Sequence, residues 1–143
     1  MKTDYILLDG AGDYLKGKHN HPFYDEVYKI IGVCMEVHSI LGKGFLEVVY
    51  KDAMEYEFQL RGIPYEREKK LEVHYKDIIL PRYYFADFFN YNEIIVEVKA
   101  QAGIVDELYK QTINYLSACN KPLGLLINFG EDSLKYKRVI LTK

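Results

Sequence analysis

Asp87, Glu97 and Lys99 are the residues whose types and spacing could do chemistry together. They lie in FADFFNYNEIIVEVKA, residues 85–100, which reads as two strands joined at Asn90-Tyr91-Asn92, since Asn tolerates the left-handed angles of a tight turn. If Asn90 pairs with Ile94 across a three-residue loop, Asp87 stands opposite Glu97. Lys99 then shares the face of Glu97, and Val96 and Val98 point the other way. Opposed carboxylates on a sheet repel each other, and burying them unpaired costs more. A cation between them resolves the conflict, and a divalent metal with hard oxygen ligands is the economical choice. Such a metal lowers the pKa of a bound water and stabilises charge on phosphoryl oxygens. Lys99 would orient the attacking water or neutralise developing charge. The pattern therefore fits metal-assisted phosphodiester hydrolysis. The bland alternative, a Glu–Lys pair on a solvated strand face, contributes little to anything. The β-branched setting of Ile94 to Val98, opposite an Asp, favours a site.

Three helices and five further strands are expected to position this hairpin. Val27, Ile30, Ile31, Cys34, Val37, His38 and Leu41 follow helical spacing, with Gly42 as the stop. A second helix is expected from about Phe45 to Leu60, with Leu46, Val49, Tyr50, Ala53 and Leu60 on its apolar side and Gly62 after it. The short Gly42-Lys43-Gly44 link makes the two helices neighbours. Pro64 to Lys70 reads as a charged strand near an edge. Leu71 to Tyr75 and Ile78 to Leu80 flank a turn at Lys76-Asp77. A third helix is expected over Val105 to Cys119, with Val105, Leu108, Tyr109, Thr112 and Leu116 on one side. Leu123 to Phe129 is almost wholly apolar, the mark of a strand covered on both faces. Leu134 to Leu141 makes a last strand, and a short strand at Tyr5 to Leu8 is possible. The expected organisation is an extension over residues 1–20 and one α/β domain over 21–143.

Composition narrows the function classes. A chain of 143 residues, 49% hydrophobic and 28% charged, is long enough to bury a core without staples. Its formal net charge of −2 gives no global basic footprint, which counts against a tight general nucleic-acid binder but not against an enzyme with a local basic groove. No apolar run reaches membrane-spanning length. Cys34 and Cys119 sit in apolar helical contexts and read as free buried thiols, so the cytoplasm is the expected compartment. The histidines lack zinc-site spacing, and His38, on a packed helix side, is expected to make a structural hydrogen bond. No Ser-His-Asp or Cys-His arrangement, phosphate-cradling loop or dinucleotide fingerprint is present.

Gly44-Phe45-Leu46-Glu47-Val48-Val49-Tyr50 resembles the Gly-x-x-Glu-x-x-Tyr signature of the GxxExxY proteins, small bacterial and archaeal members of the PD-(D/E)XK nuclease superfamily. The likeness runs from about Phe23 to Leu141 and takes in Glu36-Val37-His38, Leu60-Arg61-Gly62-Ile63-Pro64, Asp87, Glu97-Val98-Lys99, Gln111, Asn114-Tyr115-Leu116 and residues 125–130. The resemblance implies a restriction-endonuclease-like core, a central mixed sheet flanked by helices in the order α-α-β-β-β-α-β-β. It implies a nuclease that uses Mg²⁺ or Mn²⁺. Glu47 matches the helix acid that completes such a metal site beside Asp87 and Glu97, against a plain reading as a first-turn acid favoured by the helix dipole. Tyr50, three residues on, would hold Glu47 in place. Gln111 matches a helix glutamine that touches site or substrate, and Tyr115 lies one turn later on its side. The family pattern has His-Glu a few residues before that glutamine, whereas this chain has Asp106-Glu107, expected to serve as the helix N-cap and first-turn acid.

The expected partner is nucleic acid, DNA before RNA, with no membrane and a homodimer possible. Arg61, Arg67, Lys69 and Lys70 gather around the first strand of the domain, and Lys135, Lys137 and Arg138 around the last. Interleaved with Tyr65, Tyr75, Tyr83, Tyr84 and Tyr136, they would track a backbone and stack bases. The competing reading is solvated strand faces balanced by Glu66, Glu68 and Glu72. Two rival functions remain at this stage: a nuclease fold without turnover that binds nucleic acid or a protein, and a structural domain that dimerises through its Tyr-rich strands.

Overall fold

The computed structural model describes residues 4–9, 23–103 and 106–142. In chain order the elements are β1 (Asp4–Asp9), α1 (Tyr24–Leu41), α2 (Glu47–Arg61), β2 (Tyr65–Tyr75), β3 (Ile78–Asn90), β4 (Ile94–Lys99), α3 (Asp106–Cys119), β5 (Leu123–Asn128) and β6 (Lys135–Thr142). The strands form one mixed sheet of six in the order β1-β6-β5-β4-β3-β2. Every pair is antiparallel except β4 with β5, which α3 joins as a crossover helix. The order from α1 onward is the one expected, and the strand anticipated at Tyr5–Leu8 closes the far edge of the sheet against β6.

Two cores follow from helices covering both faces. Val27, Ile30, Cys34 and Val37 of α1 pack with Tyr50, Met54 and Phe58 of α2 onto Phe88, Val96, Val98, Leu125 and Ile127. On the other face Leu116 and Cys119 of α3 pack with Leu71, Tyr84, Ala86, Phe89 and Ile95. Strand β5 is buried along its whole length, as its apolar run requires. Both cysteines are free and buried, and burial pushes both thiols above their ordinary range.

Helix α2 departs from expectation in phase. It opens at Glu47 rather than Phe45, because Leu46 keeps an extended backbone as the N-cap. Its inward residues are Tyr50, Met54 and Phe58, spaced four apart, whereas Leu46 and Leu60 are 75% and 62% exposed. The stripe of i, i+4 residues follows one helix face, and Leu46 and Leu60 fall outside it. Gly62 ends the helix at φ 66°, ψ 31°, the left-handed cap for which glycine is suited.

The hairpin of β2 and β3 is longer than the sequence suggested. Lys76-Asp77 forms its turn, and β3 runs unbroken through Pro81. A register shift lies between Glu72 and His74, across from this proline, which has no N–H to give a ladder. Only Phe88 to Asn90 of β3 pair with β4, so the rest of the hairpin is a two-stranded arm, with β2 at the sheet edge as expected. A second irregularity lies at Glu68 and Asp87. Glu68 takes φ 52°, and the pair is missing from a register that otherwise runs unbroken from Tyr65 to Glu72. Tyr84 and Ala86 pack on the α3 side, yet Phe88 packs on the α1–α2 side. Residues two apart on a regular strand share a face, so β3 changes face at Asp87.

Candidate active site

That change of face is what places Asp87. Asn90 pairs with Ile94 and Phe88 with Val96, which makes Asp87 and Glu97 the next opposed pair, as the sequence implied. The regular ladder stops there, and the Asp87 carboxylate takes over its role: Oδ2 accepts the Val98 N–H at 2.8 Å. Val96 and Val98 are fully buried on the opposite side, while Glu97 and Lys99 are half-buried together.

The two carboxylates have different environments. Oδ1 of Asp87 accepts a hydrogen bond from Lys51 of α2 at 3.0 Å, and that ammonium also pairs with Glu68. Burial pulls the Lys51 ammonium down, but hydrogen bonds and charge from Glu68 and Asp87 outweigh this and its pKa is raised. The cation expected beside Asp87 is thus present as a lysine, a group the sequence reading missed. It was detectable in principle, since Lys51 lies four residues after Glu47, one turn along the same helix side.

Glu97 has no such partner. Burial and then the Asp87 charge push its carboxyl up to about 8, against opposing pulls from Tyr84, the Asp87 backbone and Lys99. Tyr84 donates its hydroxyl hydrogen to Glu97 Oε1, and burial followed by the Glu97 charge raises the phenol in turn. Tyr84 stacks on Tyr115 with ring centroids 3.6 Å apart. Gln111 Nε2 donates to the Tyr115 hydroxyl at 2.9 Å. Gln111 and Tyr115 therefore reach the acidic pair through Tyr84, and Tyr84 is a second group that the sequence reading left outside the site. The sequence groups it only with the tyrosines that would stack bases.

Other expected site residues are engaged elsewhere. Tyr50 does not hold Glu47. It is fully buried, its hydroxyl donates to the Gly42 carbonyl at 2.6 Å and accepts the Phe45 N–H at 3.3 Å, and its ring stacks on Phe129 at 4.5 Å. It fastens the α1–α2 connection to the core. Glu47 is half-buried in the first turn of α2. Among the described residues no group of three His, Cys, Asp or Glu side chains is gathered to hold a metal ion, so Glu47 does not close a triad with Asp87 and Glu97. His38 makes the structural bond expected of it, Nε2 to the Glu131 carbonyl at 2.9 Å.

The basic residues do not form one groove. Arg67 pairs with Asp52 at 2.7 Å and Glu55 at 3.1 Å on α2, and its guanidinium lies over Phe88. Lys69 pairs with Glu66 at 3.0 Å, and Arg61 with Glu57 at 3.2 Å. Strand β6, with Lys135, Lys137 and Arg138, is separated from β2 by three strands, and Arg138 is buried. Sequence proximity to a strand could not reveal which strands would be neighbours.

A divalent metal fits the residues present. Mg²⁺ is commonly held by one or two carboxylates, with water and substrate phosphate completing its shell. Asp87 and Glu97 supply that hard oxygen set, and the burial and Asp87 charge that hold Glu97 toward its neutral form are both penalties that a dication would offset. Behind them, Asn128 fixes the ends of β4 and β5. Its Oδ1 accepts N–H groups of Gln101 at 2.9 Å and Gly130 at 3.1 Å, and its Nδ2 donates to Gln101 O and Glu131 Oε2, both at 2.9 Å. Asn128 pairs with Lys99 across the parallel strands, so this node holds the segment that carries the lysine.

A comparison with protein families matches residues 24–139 to a family described as the PD-(D/E)XK nuclease superfamily. Searches of curated proteins and of solved structures returned no match. No helix among the described residues is long and apolar enough to cross a membrane. Because the family match runs from the first helix into the last strand and includes the whole acidic hairpin, this chain belongs to the PD-(D/E)XK nuclease superfamily.

Proposed function

We propose that the protein is a metal-dependent nuclease that hydrolyses phosphodiester bonds, with DNA as its substrate. The observation that carries this reading is the opposed Asp87–Glu97 pair, one member of which is driven to hold a proton by burial and its neighbour's charge. Nucleases of this superfamily typically use divalent metals, and Asp87 and Glu97 would hold Mg²⁺ or Mn²⁺ here, with water and substrate phosphate completing the shell. When bound, the ion would supply Lewis-acid stabilisation and a more acidic water.

The chain's own groups have separable tasks. Glu97 must lose its proton to become a ligand, and the nearby Lys99 favours that loss. Lys99 shares the strand face of Glu97, where its ammonium would orient water or offset charge developing on the phosphoryl oxygens. Tyr84 donates to Glu97 and fixes its carboxyl orientation, and Tyr115 with Gln111 braces Tyr84 from α3. Lys51 neutralises Asp87 in the metal-free protein.

The test is cleavage of labelled single- and double-stranded DNA with Mg²⁺ or Mn²⁺, using wild type, Asp87→Asn and Lys99→Ala. Metal-dependent cutting that both substitutions abolish, in variants that stay folded, supports the proposal. Cutting that survives Asp87→Asn overturns it. Metal binding without cleavage of DNA or RNA would instead favour a nuclease-fold module without turnover.

A further inference from the structure

The distal arm of the β2–β3 hairpin presents an unusual surface. Tyr75, Ile78, Ile79, Tyr83 and Phe85 are each more than half exposed, at 55%, 57%, 52%, 52% and 53%. Tyr83 and Phe85 share one strand face, opposite to Tyr84 and Ala86, which pack toward α3. They are about 7 Å apart along the strand, and Asp87 follows Phe85 by the same step before β3 changes face.

Cations are seated among these rings. Lys70 Nζ lies 3.5 Å from the centroid of the Tyr83 ring, and Lys76 Nζ 5.6 Å from that of Tyr75. Between residues 69 and 85 the arm carries Lys69, Lys70, Lys76 and Arg82 against only Glu72 and Asp77, in a chain whose overall formal charge is −2. Lys70 also lines a polar recess of about 270 Å³ with Lys69, Glu72, His74 and Lys121, bordered by Leu71 and Cys119 of the α3-side core. The arm is locally basic where the molecule as a whole is not. Exposed rings beside ammonium groups suit a ligand that offers flat faces and phosphates in alternation, which describes a single-stranded nucleic acid. A duplex hides its base faces and offers phosphates alone.

We propose that this arm binds single-stranded nucleic acid, with Tyr83 and Phe85 stacking bases and Lys70, which pairs with Phe85 across the hairpin, meeting the backbone. It would lead the strand toward Asp87, so the preferred substrate has a single-stranded segment beside the bond to be cut. The substrate assignment rests on the nuclease reading of the acidic pair, but binding by the arm does not.

The experiment is fluorescence anisotropy with a fluorescein-labelled oligothymidine and a hairpin duplex of matched length, in EDTA so that no metal chemistry takes part. The proteins are wild type, Tyr83→Ala, Phe85→Ala, the double variant, Lys70→Gln and Ile40→Ala. The oligothymidine should bind more tightly than the duplex. Each aromatic substitution should weaken it roughly 5- to 100-fold, Lys70→Gln should flatten its salt dependence, and Ile40→Ala, at an exposed apolar residue of α1, should bind as wild type. Wild-type affinity in the double variant overturns the proposal, as does equal or tighter binding of duplex. Loss of a dimer in the double variant by sedimentation, with oligonucleotide affinity unchanged, would also overturn it and assign the surface to a second copy of the chain. Since binding is read without metal, a failed cleavage assay with intact binding would count against the catalytic reading alone.

Discussion

Replacing Glu97 by Gln should stabilise the metal-free protein at alkaline pH and leave it little changed in acid. The Glu97 carboxyl moves from an ordinary 4.5 to about 8 in the fold. Its folded pKa is raised, so the native state binds the proton more tightly than the unfolded chain. The contribution to stability is therefore fully present below about pH 4.5, falls as pH rises, and is lost once pH passes about 8. At ~1.4 kcal/mol per pH unit, that interval corresponds to roughly 5 kcal/mol as an upper bound. Relaxation and water entry would reduce it to about 2–3 kcal/mol in practice. Gln keeps the shape and a hydrogen-bonding oxygen for Tyr84 but has no charge to bury. The assay is urea unfolding in EDTA at several pH values from about 5 to about 9. The wild-type curve should fall across this range by more than that of Glu97→Gln, and the gap between them should widen toward alkaline pH. Parallel curves, or a gap that widens toward acid, would refute the claim that a buried, like-charged neighbour governs this carboxyl.

Four other outcomes follow from the same contacts. Asn128→Ala removes the partners of two backbone N–H groups and one carbonyl, so it should cost about 2–4 kcal/mol by urea unfolding, with nuclease activity reduced even where the protein is folded. Tyr50→Phe loses the bond to Gly42 and should cost about 1–2 kcal/mol without altering metal affinity. A change in metal affinity would return Tyr50 to the site. Lys51→Met removes the ammonium that competes for Asp87, so Mn²⁺ should bind more tightly by calorimetry. Weaker binding would show that Lys51 supports the metal rather than excludes it. Arg67→Ala should lower stability by roughly 1 kcal/mol, since its ion pairs to α2 are partly exposed, and leave oligonucleotide affinity unchanged.

The parts of the fold that could be read from sequence were those with strict periodicity or strong punctuation. The buried run Leu123–Asn128, the glycine stops at Gly42 and Gly62, and the loop between Asn90 and Ile94 depend on neighbours in sequence, and each appears as expected. That loop alone carried the Asp87–Glu97 opposition, because period-two alternation transmits register along both strands. What was hidden depends on tertiary placement. Lys51 reaches Asp87 only because α2 crosses the end of β3, and Tyr84 faces Glu97 only because β3 changes face at Asp87. A left-handed Glu68 within a strand has no sequence signature, and it accompanies that change. The pairing of Arg67 with α2, and the separation of β6 from β2, likewise required the topology. Tyr50 misled for a related reason: its spacing from Glu47 allowed contact, but packing against Phe129 turned its hydroxyl to the loop.

The most direct measurement of the central claim is calorimetric titration of Mn²⁺ into wild type, Asp87→Asn and Glu97→Gln at about pH 8, repeated in the presence of a non-cleavable oligonucleotide. The account predicts a single site in the wild type that tightens when substrate phosphate is present. It also predicts release of a proton on binding as Glu97 ionises, and loss of the site in both variants. Equal binding in Asp87→Asn, or no binding to the wild type at millimolar Mn²⁺ with the oligonucleotide present, would contradict it.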